Sequence, residues 1–159
     1  VCQSEQERFV TVTLTFTGMR ADELAHMRRS WIKESYEHIA IPSSEGDWMP
    51  KTKSGARTIP LIEPRLRIVL KEWFLRFEGV NIHRVTIWRI IKRVANRAGI
   101  KPLYPHALRA TYATFLAHKG LSGAALCGVM GWSSIRTGEV YIQKTGVRYM
   151  EEIRNRWKP

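Results

Sequence analysis

The sequence predicts a mainly α-helical domain that carries a small antiparallel β-sheet, an α+β arrangement. Three observations point there. Apolar residues recur at three- and four-residue spacing along most of the chain, Tyr36 to Ile41 alternates instead with Ala56 to Leu61 as its partner strand, and proline or glycine stands at nearly every border. At 159 residues the chain is long enough to bury a core without staples, and it has no internal repeat or low-complexity linker. A single domain over 1–159 is expected. Cys2 and Cys127 are too few and too far apart for a disulfide framework, so two free thiols in a reducing compartment are expected. Neither a membrane-length apolar run nor a signal peptide is visible, which predicts a soluble, cytoplasmic protein.

Residues 3–16 combine a polar start with Phe9, Val10, Val12, Leu14 and Phe16, and fit a buried helix better than a short strand. Thr17-Gly18 ends that run. A short helix follows through Leu24 and Met27, with Asp22 and Glu23 near its start, where the helix dipole favours acids. Tyr36 to Ile41 and Ala56 to Leu61 read as the two strands of a hairpin whose connection holds Lys51-Thr52-Lys53-Ser54-Gly55. Pro64 opens a helix with an inner stripe of Leu66, Val69, Leu70, Trp73, Phe74 and Phe77. Val85 to Ala98 forms the next, closed by Gly99, with Ile87, Ile90, Ile91, Val94 and Ala98 inward. Pro105 starts another, with Leu108, Tyr112, Phe115 and Leu116 on its apolar side. Ser122 and Gly131 bracket a short helix of small residues suited to close packing, and Ser134 caps a run from Ile135 to Lys144. A last basic helix carries Val147, Met150, Ile153 and Trp157.

Twenty-six Lys and Arg against fourteen Asp and Glu give a formal charge of +12, while six Trp, five Tyr and five Phe belong to a folded body rather than a basic tail. Such a domain expects a polyanion, with nucleic acid ahead of a generic basic surface. The helix from Val85 presents Arg89, Lys92, Arg93, Asn96 and Arg97 away from its apolar side. That run is either a solvated face or a helix laid along a DNA groove, where Arg and Asn can read base edges. Asp22 and Asp47 are the sole aspartates, and no carboxylate pair has metal-site spacing. No glycine-rich phosphate loop is present either. Neither a metal nor a cofactor is expected, so phosphoryl chemistry would fall to side chains.

His106 and Arg109 lie three apart at the start of one helix and so project as neighbours, a proton carrier beside a fixed cation. The pair suits a phosphate, but alone it is a weak signal. Arg20 with Glu23 and the hairpin lysines add to it, although each also has an ordinary reading as a solvated charge.

Together these stretches resemble the catalytic domain of the tyrosine recombinase (phage integrase) family. Thr17 to Leu24 is similar to its first arginine box, Lys51 to Leu61 to its lysine hairpin, and His106 to Thr111 to its second box. Met130-Gly131-Trp132-Ser133-Ser134, with Tyr141 nine residues after Trp132, resembles the third. The Trp48-Met49-Pro50-Lys51-Thr52-Lys53 run and Gly131-Trp132 are most similar to archaeal and archaeal-virus integrases. The resemblance implies the recombinase catalytic-domain fold and DNA cleavage through a 3′-phosphotyrosine link, without ATP or metal. It assigns Tyr141 as nucleophile, Arg20 and Arg109 as the clamp on the non-bridging oxygens, and His106 as an aid to proton transfer. Lys51 would protonate the leaving 5′-oxygen, with Lys53 its rival. Trp132, standing where many members carry His, would position the phosphate through its N–H, and Glu23 would brace Arg20. Tyr104, Tyr112 and Tyr149 have no such role.

The same resemblance implies double-stranded DNA as partner, a nucleoid-associated location, a homotetramer on DNA and a monomer without it. Members usually carry an N-terminal core-binding domain that nothing before Val1 supplies, so weak, salt-sensitive DNA binding is expected. Two other readings compete. One is a catalytically silent DNA-binding module of this fold, and the other is DNA relaxation of the type IB topoisomerase kind.

Overall fold

The structure, a computed structural model, describes residues 1–33, 35–100, 102–146 and 153. Helix α1, Glu5–Thr17, begins where the Ser4 hydroxyl accepts from the Glu7 amide and ends at Gly18 in the left-handed region, φ 60°. Its buried side is Phe9, Val10, Thr13, Leu14 and Thr17, a helical period completed by two threonines. The alternation of Val10, Val12, Leu14 and Phe16 is therefore incidental. Helix α2 spans Ala21–His26.

The sheet has three antiparallel strands, in the order β1 (Ile32–Lys33), β2 (His38–Ile41) and β3 (Arg57–Pro60). The expected hairpin is β2 and β3, registered Ile39 to Ile59 and Ile41 to Arg57. The sequence reading missed β1, whose two residues are too short to show a period. It also began β2 too early, because Ser35 and Tyr36 turn at φ 54° and 73° before the strand starts.

Helix α3, Pro64–Phe74, buries Leu66, Val69, Leu70, Trp73 and Phe74. Phe77 does not continue that stripe, since the helix has ended and the side chain is 45% exposed against the face of Trp73. Helix α4, Arg84–Arg97, buries Ile87, Ile90, Ile91 and Val94, joined by Ala95 rather than the expected Ala98, which lies at the fraying end. Helix α5, Pro105–His118, turns Leu108, Tyr112 and Leu116 inward but leaves Phe115 43% exposed. Helix α6 is Gly123–Met130 and helix α7 is Ile135–Thr145. Ser122 caps α6 by accepting from the Ala125 amide, whereas Ser134 holds the cap position of α7 without a side-chain bond. The C-terminal helix expected over Val147 to Trp157 lies outside the described residues apart from Ile153.

Two cores result. The larger joins α1 to α4 and the sheet around Phe9, Trp31, Leu70 and Phe74, each burying enough apolar surface to stabilise the fold by about 1.5–3 kcal/mol. The smaller joins α5, α6 and α7 around Tyr112, Leu116, Leu126 and Met130. Gly138 lets α7 approach α6 closely, because a Cβ there would lie 2.6 Å from the Gly123 carbonyl oxygen. That contact fixes the helix one turn before Tyr141. Among the described residues no helix is long and apolar enough to cross a membrane.

Candidate active site

The site grows from one buried carboxylate. Glu23, 2% exposed, sits in the first turn of α2, and its Oε2 accepts from the backbone N–H of Arg20, the N-cap residue, at 2.8 Å. Arg20 Nη1 donates to Oε1 at 2.7 Å. From β3, Arg57 meets the same carboxylate as a two-pronged fork, Nη1 to Oε1 at 2.8 Å and Nη2 to Oε2 at 2.9 Å. Burial alone would raise the carboxyl's pKa, but the hydrogen bond and charge of Arg57, followed by the bonds from Arg20, outweigh it. Glu23 is thus held ionised below the ordinary carboxylate range.

The arginines have a second anchor. A helix leaves its last carbonyls without partners inside the helix, at the negative end of its dipole. At the end of α6 three successive carbonyls each accept from a different arginine. Arg57 Nε donates to Val129 O at 2.8 Å, Arg109 Nη2 to Met130 O, and Arg20 Nη2 to Gly131 O at 3.5 Å. The Ser54 hydroxyl also donates to Gly131 O, at 3.3 Å. Gly131 adopts φ 64°, and a Cβ there would stand 2.7 Å from Ser54 O and 2.9 Å from Arg57 Cδ, so both conformation and space demand glycine. Arg109 Nη1 reaches across to Gly18 O at 2.6 Å, tying α5 to the end of α1.

Three guanidinium groups therefore converge on one helix terminus, and two of them, Arg20 and Arg57, share one carboxylate. Arg109 is 4% exposed, and burial, then the charges of Arg20 and Arg57, push its pKa down to about 9, still cationic at neutral pH. Cations that weaken one another in this way leave room for an anion. Arg20, His106 and Arg109 line a cleft of about 460 Å³, whose far side is formed by Arg84, Val85 and Trp88 of α4.

The remaining candidates are held more loosely. Tyr141 stacks on Trp132, with ring centroids 5.0 Å apart and planes at 16°, and the Lys144 ammonium lies 5.8 Å from the Tyr141 ring centre. Tyr141 packs on the smaller core that holds Met130, whose carbonyl accepts from Arg109. His106 is exposed at the cleft wall. Lys51 and Lys53 are both exposed and form no hydrogen bond or ion pair among the described residues, so their rivalry stays open.

On α4 the basic run divides. Arg97 pairs with Glu7, and Arg93 lies 3.4 Å from the same carboxylate, so these two brace α4 on α1. Arg89, Lys92 and Asn96 face outward, with Lys92 over the Trp88 ring at 4.9 Å.

Sequence reasoning missed Arg57. The signal was available, because Arg57 alternates with Ile59 on the inward side of β3, and an arginine on a buried face needs a carboxylate. With its side chain 3% exposed, it is the most deeply enclosed partner of Glu23.

A family model described as "Phage integrase family" matches residues 1–147. The chain belongs to that family. Curated relatives include tyrosine recombinase XerA of Pyrococcus furiosus, 24% identical over 93% of this chain and 54% of the relative. Tyrosine recombinase XerD of Staphylococcus aureus is 29% identical over 91% of the chain and 53% of the relative. The chain thus spans about half the length of the curated relatives it matches. Among solved structures, XerA recombinase superposes with a TM-score of 0.75 at 19% identity, covering 98% of this chain and 58% of that one. The Tn1549 transposon integrase in complex with a circular intermediate DNA gives 0.71 at 20% identity, over 92% and 58%. Both share the fold, mainly helical with a small antiparallel sheet, as the family resemblance implied.

Proposed function

We propose that this chain carries the catalytic chemistry of a site-specific DNA recombinase or integrase, cutting and rejoining double-stranded DNA through a 3′-phosphotyrosine link. The observation that carries this reading is the cluster of Arg20, Arg57 and Arg109 on the last carbonyls of α6, with Glu23 the one carboxylate bonded to it among the described residues and Tyr141 packed on the same small core as Met130. A phosphodiester supplies the charge that such a cluster is short of, and charge developing on its oxygens strengthens the attraction. Arg20 and Arg109 clamp those oxygens, and Arg57 holds Glu23 so that Arg20 stays aimed. Stacking on Trp132 orients the phenol of Tyr141. Its oxygen attacks phosphorus while His106 assists the proton's departure, and the 5′-oxygen leaves with a proton from a loop lysine, Lys51 ahead of Lys53. The bond energy stays in the phosphotyrosine, and the free 5′-hydroxyl of another strand reverses the step. Arg89, Lys92 and Asn96 extend the cationic surface along the duplex, and strand exchange proceeds in a homotetramer on DNA.

A nicked suicide substrate tests this directly. The chain is expected to form a denaturation-resistant covalent adduct that Tyr141→Phe abolishes while DNA binding persists. An adduct in the Phe variant would move the nucleophile elsewhere, and binding without any adduct would mark a silent DNA-binding module. Relaxed circles in place of exchanged strands would mark topoisomerase chemistry.

A further inference from the structure

The loop between β2 and β3 is not a free hairpin. Its outgoing arm is clipped to α2 by Trp48, whose indole N–H donates to Asp22 Oδ2 at 2.9 Å. The same ring stacks on His26 with centroids 5.3 Å apart and 16° between planes. Reciprocal backbone bonds between Glu45 and Trp48, 2.8 and 3.1 Å, close the turn that presents the indole. On the returning arm, Arg57 is tied to Glu23. Between the clips Pro50 packs on Gly55 so closely that a Cβ on Gly55 would lie 2.4 Å from the Pro50 Cβ. The tip projects from a pinched neck, and Lys51 is the first residue beyond it.

Both clips end on adjacent residues of α2, the helix whose N-cap is Arg20. The neck of the loop and the phosphate-facing cation therefore share one frame. We infer that Trp48 is a positioning residue: by holding the outgoing arm on Asp22, it sets where the Lys51 ammonium stands relative to a phosphate held at Arg20. This rests on the reading of Lys51 as proton donor. In that step the Tyr141 oxygen bonds to phosphorus, the bond from phosphorus to the 5′-oxygen breaks, and the ammonium passes its proton to that oxygen and becomes a neutral amine. Trp48 touches none of the reacting atoms.

The test compares single-turnover cleavage of two nicked DNA substrates, one ordinary and one with sulfur replacing the bridging 5′-oxygen, since a thiolate leaves without a proton. Trp48→Phe keeps the stacking and loses the N–H, Asp22→Leu removes the acceptor, and Asp22→Asn retains one. Trp48→Phe and Asp22→Leu are expected to slow the ordinary substrate about five- to tenfold, the worth of one hydrogen bond, with Asp22→Asn near the parent rate. The sulfur substrate is expected to restore both, as it restores Lys51→Ala. In the free protein, amide hydrogen exchange over 49–54 is expected to rise in Trp48→Phe.

If sulfur restores Lys51→Ala but not Trp48→Phe, Trp48 does not act through the lysine and the inference is overturned. Unchanged exchange over 49–54 overturns it whether or not DNA is cut. Should sulfur fail to restore Lys51→Ala, the assignment of the donor itself falls, and restoration of Lys53→Ala would name its replacement.

Discussion

The groups that would hold a phosphate and the groups that would make and break its bonds are built by opposite rules in this molecule. Arg57, Glu23 and Arg109 are almost fully enclosed; each of the two arginines has two partners from elements distant in sequence, and Glu23 has Arg57. Tyr141 has one stacking neighbour and a nearby lysine, while Lys51 and His106 are exposed. Clamping a tetrahedral anion needs donors fixed before it arrives, because their reorganisation would otherwise add to the barrier. A nucleophile and a proton donor need freedom to approach, react and withdraw. Variants of the holding half should therefore disturb folding and chemistry together, and variants of the reacting half chemistry alone.

The largest effect on stability is expected from Arg57→Leu, which leaves Glu23 buried with only Arg20 beside it. Breaking a buried pair in this way costs about 3–5 kcal/mol, measurable by denaturant unfolding. A loss near zero would erase the contrast between the two halves. Gly131→Ala comes next, with about 1–3 kcal/mol from the left-handed backbone and a further penalty from the contact with Ser54. A crystal structure of that variant should show Ser54 displaced.

The acid limb of stability sharpens the comparison further. Glu23 is held below its ordinary pKa, so its contribution is fully present above about pH 4.3, its unfolded value, and is lost as pH falls through the folded value. Glu23→Gln should unfold more easily at neutral pH and show a shallower further loss below pH 4. The smallest effect belongs to Lys51→Ala, expected to leave stability within about 0.5 kcal/mol of the parent while slowing cleavage. A large drop in melting temperature would mean that the loop tip is structural after all.

How much of this was legible in the sequence follows the same division. Arg20, Glu23, His106 and Arg109 announce themselves at three-residue spacing on helix starts, where local geometry alone makes neighbours of them. The convergence of three arginines on one helix end does not, because it depends on how α6 docks against β3 and α1. Arg57 is the instructive case, since strand alternation with Ile59 points it inward, yet the lysines of the preceding turn drew the reading away from it. Trp48 and Asp22 lie 26 residues apart, and nothing local marks the hydrogen bond between them. Misplaced edges have simpler causes. Phe77 and Phe115 satisfy the apolar period, but the first lies past its helix end and the second stays 43% exposed at the edge of the contact between α5 and α1. Ala95 replaces Ala98 because the last turn of α4 leaves the core.

The three carbonyls at the end of α6 also set an order of events during folding. Arg57 reaches Val129 across 72 residues of chain, and Arg20 reaches Gly131 across 111. Contacts so remote close late, after the local helices and the hairpin have formed. A nascent or half-folded chain would display its basic residues without gathering them, and could cling to DNA but not grip one phosphate. On the proposed reading, the capacity to cut would be withheld until the last segments have met, a safeguard against stray nicks from unfinished protein.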